Sequence, residues 1–162
     1  MSHSEHEHNH AQCIADALNQ AEQICADQGR RLTTLRRRVL ELVWSSHRPI
    51  GAYSILDALS EGGRKAAPPT VYRALEFLID AGLVHRLDSL NAFVGCSDPG
   101  HAHQGQFLIC RNCRQVIELD TETVDSHIRE AAAAAGFLAE QQTLEVQGLC
   151  ADCHQPAEAA DG

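Results

Sequence analysis

Two pairs of cysteines carry the strongest chemical signal in this chain of 162 residues. Cys110 and Cys113 form one Cys-x-x-Cys pair, and Cys150 and Cys153 form the other. A two-residue spacer lets both thiolates of a pair reach one ion, and two pairs complete the tetrahedral shell of structural zinc. Four thiolates can also hold an iron–sulfur cluster, and a single pair can act in thiol–disulfide exchange. Because two pairs are present, we favour structural zinc.

A second group of candidate metal ligands lies around the first cysteine pair. Its members are His85, Cys96, His101, His103 and Glu118. A hairpin with equal arms that turns after residue 90 places His85 opposite Cys96, and such opposed side chains are about 5 Å apart at Cβ. On spacing alone, ordinary polar side chains explain these residues at least as well. A shell of nitrogen, sulfur and oxygen donors would favour zinc over harder ions.

Helical periodicity predicts the elements that must hold these groups in the N-terminal half. We expect helices over 11–27, from Thr33 or Thr34, over 52–60, and from Pro68 to the glycine at position 82. Tyr72 and Arg73 lie near the start of the last helix, as base-contacting residues of a recognition helix do. Strands over 83–87 and 92–96 follow. Helices followed by a hairpin are typical of a winged helix-turn-helix domain.

The C-terminal part is predicted to mix strands and a helix, which makes the chain an α+β protein. We expect strands over 107–110 and 116–119, an alanine-rich helix over 121–135, and one or two strands within 137–146. The expected organisation is a disordered histidine-rich tail (1–10), a winged-helix domain (11–96), a hinge (97–101), an α/β domain (102–156) and a second disordered tail (157–162).

The charge distribution favours a nucleic-acid partner despite a net charge of −9. Nine basic and three acidic residues lie between positions 29 and 73, so that segment carries +6 and the rest −15. A basic surface on an acidic body can contact phosphates, although a solvated helix face is the alternative. The motifs of metalloproteases, P-loop proteins and serine hydrolases are absent, so we predict no enzyme. Without an apolar run of about 20 residues or a signal sequence, we expect a cytoplasmic protein.

Several segments resemble the ferric uptake regulator family over about residues 11–154. They are RLTTLRRRVLEL (31–42), AYSILD (52–57), PPTVYRALEFL (68–78), GLVHRL (82–87) and the two cysteine pairs. The resemblance implies a dimeric, metal-dependent transcription regulator. It also implies an N-terminal winged-helix DNA-binding domain and a C-terminal α/β dimerisation domain.

The resemblance further implies the site residues. The zinc-sensing branch, the zinc uptake regulators, has a regulatory ligand set that matches His85, Cys96, His103 and Glu118. Iron and peroxide sensors usually lack the cysteine. The resemblance implies that Tyr72 and Arg73 contact DNA and that Tyr53 and Arg73 read the bases. Arg36, Arg37, Arg64 and Lys65 are the residues expected at the phosphates. The chain departs from some relatives at Gln142, where a third site would need histidine, and at Ser60, where a contact between dimers would need arginine.

We therefore predict a zinc-responsive transcriptional repressor of zinc-uptake genes. It would bind two zinc ions per chain and act as a homodimer on palindromic double-stranded operators, with one or two dimers on each. An iron- or peroxide-sensing regulator of the same family is the alternative. A zinc storage or chaperone protein that uses the histidine-rich tail is the alternative from another class.

Overall fold

The computed structural model describes residues 10–46, 48–63, 65–101 and 105–154, which form two compact units. One unit ends at Gly100 and the other begins at His101. The elements are α1 (His10–Asp27), α2 (Thr34–Trp44), α3 (Ala52–Glu61), α4 (Pro68–Asp80), β1 (Val84–Leu87), β2 (Ala92–Gly95), β3 (Gly105–Cys110), β4 (Val116–Glu118), α5 (Glu122–Ala134) and β5 (Thr143–Gly148). The chain is an α+β protein, as predicted. No helix in the described ranges is long and apolar enough to cross a membrane.

The limits of the predicted tails differ partly from the structure. His10, which was assigned to the tail, is the first residue of α1, and its Nε2 lies 2.8 Å from the Ser45 carbonyl oxygen. This contact joins the start of α1 to the end of α2, a long-range link that local composition does not indicate. The tails themselves, at 1–9 and 157–162, lie outside the described residues.

The first unit is held together by an aliphatic core to which each helix contributes one face. On α2 the apolar residues Val39, Leu40 and Val43 are at most 2% exposed. The side chain of Thr33 accepts a hydrogen bond from the Arg36 backbone N–H and caps this helix. On α4 one apolar face is buried, and Pro68 occupies the first helical position, where its missing N–H costs nothing. Each large aliphatic side chain buried in this way contributes about 1.5–3 kcal/mol.

The hairpin of β1 and β2 has a register that differs by two residues from the predicted one. His85 pairs with Val94, not with Cys96, and the Cys96 N–H donates to the Leu83 carbonyl. The reason lies in the connection, which is a 3₁₀ turn that ends on Asn91 in the left-handed conformation at φ 45°. A shift of two residues preserves the alternation of faces. His85 and Cys96 therefore stay on one face as diagonal neighbours.

The second unit contains a three-stranded sheet in the order β4-β3-β5. Strand β3 is antiparallel to β4 and parallel to β5, and α5 supplies the crossover between β4 and β5. Gly136, at φ +74°, follows the end of α5, where the left-handed conformation favours glycine.

The strand predicted within 137–146 is wrong in its N-terminal part, because β5 begins only at Thr143. The residues before it bond back to α5 through side chains. Arg129 Nη1 donates to the Ala139 carbonyl, and Gln142 Nε2 donates to an Asp125 carboxylate oxygen. These contacts replace the ladder hydrogen bonds that a longer strand would need.

A close approach of Trp44 to Gly95 yields the first prediction. A Cβ atom at position 95 would lie 2.7 Å from Cζ2 of the Trp44 ring and closer still to Cε2. We expect Gly95→Ala to lower the free energy of unfolding by about 1–3 kcal/mol through overpacking. Urea denaturation followed by the fluorescence of Trp44, the chain's single tryptophan, measures this change.

Gly62→Ala is the matched control, since its backbone conformation suits alanine and a Cβ there makes only an ordinary contact with the Leu59 carbonyl at 3.5 Å. Equal stabilities of the Gly95→Ala protein and the unsubstituted protein would contradict the packing described here.

Candidate metal centres and nucleic-acid interface

The parallel pairing of β3 with β5 brings the two cysteine pairs together. Cys110, the last residue of β3, pairs with Gly148, the last residue of β5, so the two Cys-x-x-Cys turns begin side by side. The 36 residues between the pairs contain β4, α5 and β5, which return the chain to this point. All four cysteine sulfurs lie within 4.8 Å of one another.

The size of this cluster suits zinc. Four sulfurs at about 2.3 Å from one tetrahedral ion lie about 3.8 Å from each other. The Sγ atoms of Cys113 and Cys150 are 3.6 Å apart. The four-thiol donor set therefore fits a structural zinc ion.

Backbone hydrogen bonds shape both cysteine turns. In the first turn the Arg114 N–H donates to the Cys110 carbonyl at 3.0 Å, and Arg114 takes a left-handed φ of 64°. In the second turn the His154 N–H donates to the Cys150 carbonyl at 2.7 Å. The Asn112 amide also donates to the Cys153 sulfur at 3.3 Å. These bonds hold the turns tight and direct the sulfurs to one point.

Cys110 and Cys113 have opposite shifts in acidity. The backbone N–H of Cys113, followed by that of Cys150, lowers the pKa of Cys110 to about 6. For Cys113 the Gln115 N–H acts in the lowering direction, but contacts with the other thiols, led by Cys110, raise the pKa to about 11. Cys110 thus ionises easily, whereas Cys113 keeps its proton until a cation compensates the added negative charge.

His85 and Cys96 form a second donor pair, within the first unit. A ring nitrogen of His85 and the sulfur of Cys96 lie within 4.8 Å of each other. Cys96 is 1% exposed, whereas His85 is half-buried. An imidazole and a thiolate at this separation can bind the same ion, and the thiolate makes the pair soft.

The other predicted regulatory ligands belong to the second unit. Glu118 is the half-buried last residue of β4 and pairs with Phe107 of β3. The Leu119 N–H beside it donates to the carbonyl of buried Gln106, whose side chain bonds Thr121. These contacts fix the backbone at Glu118. His103 lies outside the described residues, and His101 is exposed.

Aromatic and basic side chains on α3 and α4 form a candidate surface for reading bases. Tyr53, in the first turn of α3, is 69% exposed, and Tyr72 on α4 is 40% exposed. Arg73 is exposed beside Tyr72, while Val71 and Ala74 on the opposite face are buried. A guanidinium can bind the two acceptors of guanine in the major groove, and a tyrosine can pack on thymine methyl groups.

The basic residues predicted at phosphates have different surroundings. Lys65 is exposed just before α4, and Arg64 lies outside the described residues. Arg37 is paired with the Glu22 carboxylate of α1. The guanidinium of Arg36 lies over the Phe77 ring, at 3.6 Å from the centroid. The sequence did not indicate these long-range partners.

Two other cysteines of the first unit have no predicted chemistry. Cys13 is half-buried on α1, and Cys25 is 1% exposed in the core. Burial raises the pKa of the Cys25 thiol, which outweighs the lowering effect of nearby Arg30 and Arg36. A buried thiol with a raised pKa is inert, so Cys25 acts as a packing residue.

An apolar row on the second unit's sheet was missed by the sequence analysis. Leu108, Ile117 and Val146 occupy neighbouring positions across the three strands and are 36–45% exposed. Leu149, which lines a shallow cavity together with these three residues, is 40% exposed. A contiguous exposed apolar patch marks an interaction surface. The period-two pattern of β3 indicates that alternate residues share a face, but only the strand order shows that residues of the three strands are adjacent on it.

Comparison with protein families gives one match over most of the chain. The model of the Ferric uptake regulator family matches residues 27–147. The zinc uptake regulation protein of Escherichia coli (strain K12) is 41% identical over 141 residues, which cover 85% of this chain and 81% of that protein.

The chain is also similar to solved structures. A zinc uptake regulator complexed with zinc and DNA matches with a TM-score of 0.83 and 40% identity, covering 86% of this chain and 94% of that one. The holo form of XcZur matches with a TM-score of 0.78 and 45% identity, covering 84% of this chain and 95% of that one.

The acidity of Cys110 yields the second prediction. In the chelator-treated protein we expect one thiolate per chain to form with a midpoint near pH 6, because the pKa of Cys110 is lowered to about 6. Thiolate ultraviolet absorbance measures this step, and Cys110→Ser should remove it. Below that pH the thiolate is protonated, so metal retention at the four-cysteine site should fall on acidification through this range.

Cys25→Ser is the control and should leave the first ionisation step unchanged, since the pKa of this thiol is raised. A first ionisation at the ordinary thiol value of about 8.5 would contradict the assignment to Cys110.

Proposed function

The chain belongs to the ferric uptake regulator family, and from this premise we propose that it is a zinc-responsive DNA-binding repressor of zinc-uptake genes. The observation that carries the proposal is the His85–Cys96 donor pair, which lies on the hairpin directly after the helix with Tyr72 and Arg73. A metal ligand pair and a candidate base-reading helix thus occupy one unit. Similarity to a regulator complexed with zinc and DNA supports both parts of the proposal.

We propose two zinc ions per chain with different tasks. The first is held by the four cysteines at 110, 113, 150 and 153, where it stabilises the second unit. The second is held by His85, Cys96, His103 and Glu118, and it acts as the signal. The buried thiolate of Cys96 supports zinc over iron or manganese at the second site, because sulfur is a soft ligand.

Zinc at the regulatory site would act by selecting a DNA-binding conformation. Its proposed ligands lie both before and after position 100 in the sequence, so a bound ion would restrict the conformations that the chain can adopt. Zinc that binds one arrangement more tightly shifts the population toward it. A shift from 1:99 to 99:1 needs a differential affinity of about 5.5 kcal/mol, and a smaller shift suffices for partial repression.

The proposed DNA contacts follow from side-chain type and exposure. Tyr53, Tyr72 and Arg73 would approach the bases, and phosphates would bind Arg36, Arg37, Arg64 and Lys65. A two-fold symmetric dimer reads two half-sites, so the operator should be a palindrome, bound by one or two dimers. Such a regulator works where the chromosome lies, which makes the cytoplasm its proposed location. We propose no catalytic activity.

The exposed apolar row of the second unit is the proposed dimer interface. Leu108, Ile117 and Val146 offer a continuous apolar surface on a rigid sheet. A second copy of the chain that packs its own row on this surface would remove it from water, and the hydrophobic effect would drive association.

The regulatory site yields the third prediction. We expect Cys96→Ser to weaken zinc-dependent binding to a palindromic duplex from a zinc-uptake promoter by about tenfold or more, since removing even an outer partner of a metal ligand costs about 10–100-fold. Fluorescence anisotropy with zinc, iron or manganese under chelator control measures the effect. Cys13→Ser is the matched control and should bind as the unsubstituted chain does.

Unchanged zinc-dependent binding by the Cys96→Ser protein would contradict the assignment of the regulatory site. An equal response of the unsubstituted chain to all three metals, or no response to any, would contradict the proposed zinc-responsive repressor. A response to iron but not to zinc would favour an iron or peroxide sensor. Zinc binding without any DNA binding would favour zinc storage.

The dimer interface yields the fourth prediction. We expect Ile117→Glu to convert the dimer to a monomer at micromolar concentration, because a carboxylate would be desolvated in the apolar interface. Ile117 is 45% exposed within one chain, so its replacement should leave the monomer folded. Sedimentation velocity measures the oligomeric state.

Gln147→Glu is the matched control. Gln147 pairs with Ile109, so this substitution adds the same charge to the face of the sheet that does not carry the apolar row. Persistence of the Ile117→Glu protein as a dimer at the same concentration would show that another surface mediates association.

A further inference from the structure

Two arginines share one aromatic ring on the candidate recognition helix. We infer that Phe77 is a positioning residue that holds Arg30 and Arg36 for contact with DNA phosphates, and that Arg30 is a phosphate-binding residue. The inference rests on the proposed DNA-binding function. The family resemblance pointed to Arg36, but neither to Arg30 nor to the ring that holds both side chains.

The geometry is that of stacked cation–π contacts. The guanidinium carbon of Arg30 lies 4.4 Å from the centroid of the Phe77 ring, and that of Arg36 lies 3.6 Å from it. Phe77 is 9% exposed, whereas both arginines are half-buried. A guanidinium that lies over a ring uses its flat face for the contact, which leaves N–H donors at its edge available for hydrogen bonds.

The surroundings distinguish these two arginines from their neighbours. Arg37 and Arg38 are paired with the carboxylates of Glu22 and Glu41. Among the described residues, no ion pair joins a carboxylate to Arg30 or Arg36. The Arg36 side chain instead donates from Nη1 to the Arg31 carbonyl at 2.7 Å. The ring and this carbonyl position the two cations without neutralising them.

The guanidinium groups of Arg30 and Arg36 lie close enough to repel each other. Because both guanidinium carbons lie close to one centroid, they are no more than 8.0 Å apart. This separation is within the Debye length of about 8 Å at physiological salt, so their mutual repulsion is not fully screened. An anion bound to both would relieve the repulsion. The phosphates of a DNA strand are anions of the right chemistry, and arginine binds them with paired hydrogen bonds.

The position on α4 places this arrangement beside the candidate base-reading residues. Phe77 follows Arg73 by four residues, so the two lie on the same side of the helix, about 6 Å apart along its axis. A helix whose Arg73 reaches a base edge therefore brings the Phe77 end toward the strand backbone. Fixed arginines there would set the depth and register of the helix in the groove, which is the task of phosphate contacts.

The test is the salt dependence of DNA affinity in the zinc-loaded full-length protein. The probes are a palindromic duplex from a zinc-uptake promoter and a random-sequence duplex of equal length. The slope of log affinity against log salt is negative. We expect Arg30→Ala to reduce the magnitude of this slope by about 1.8 per dimer, since each lost phosphate contact removes about 0.9. Affinity should fall on the order of tenfold at physiological salt, and by the same factor for both duplexes.

Substitutions of the ring separate positioning from simple core packing. Phe77→Leu keeps an apolar side chain but removes the aromatic face. We expect it to reduce the magnitude of the salt slope by at least as much as Arg30→Ala does. Phe77→Tyr should restore the original slope. Adding Arg30→Ala to the Phe77→Leu protein should then have little further effect, because both changes act on the same contact.

A control variant and a check of folding complete the test. Arg129→Ala removes a positive charge from α5, where it is paired with Asp125, and should leave the slope unchanged. Melting temperatures and zinc content identify any variant that fails to fold, and Arg30→Ala carries the test in that case because Arg30 precedes α2 outside the helices.

An unchanged slope for Arg30→Ala, or for a folded Phe77→Leu protein, would overturn the inference. A zinc-loaded unsubstituted protein that does not prefer the palindromic duplex would overturn the proposed function instead.

Discussion

The parallel pairing of β3 with β5 is the contact on which the second unit depends. Cysteine pairs that are far apart in sequence can share an ion only if the chain returns to the same point. The pairing achieves this by placing Cys110 opposite Gly148, so that both cysteine turns leave the sheet together. The same sheet aligns Leu108, Ile117 and Val146 into one apolar row and fixes Glu118 at the end of β4. The three-stranded sheet as a whole thus supports the structural metal centre, the proposed dimer surface and a proposed regulatory ligand.

Charge sets a second constraint, which the first unit resolves. A chain with a net charge of −9 can bind a polyanion only if its positive charge is concentrated where the contact is made. The basic residues between positions 29 and 73 provide that concentration, but several are already paired with carboxylates. The cations held by Phe77 are instead fixed without loss of charge. The acidic remainder of the chain repels DNA, so affinity depends on presenting the basic surface to the duplex. The proposed zinc signal would control this presentation.

Local features of the fold could be predicted from the sequence, and long-range ones could not. Helices α2 and α4 follow from apolar periodicity, the Thr33 cap and Pro68, all of which act within a few residues. The hairpin register was wrong because Asn91 adopts a left-handed turn that its residue type permits but does not require. The start of β5 was wrong because Asp125 and Arg129 capture the preceding segment. The ring shared by Arg30 and Arg36 depends on three segments that meet only after folding.

In the proposed function, a second zinc ion, beyond the one at the four-cysteine site, switches DNA binding on. The most direct test titrates the full-length chain with chelator-buffered zinc and measures bound zinc per chain and occupancy of a palindromic promoter duplex in the same samples. We predict that DNA occupancy stays low while the first equivalent of zinc binds and rises as the second equivalent binds. DNA binding that is complete with one zinc ion per chain, or that does not change with zinc, would contradict it.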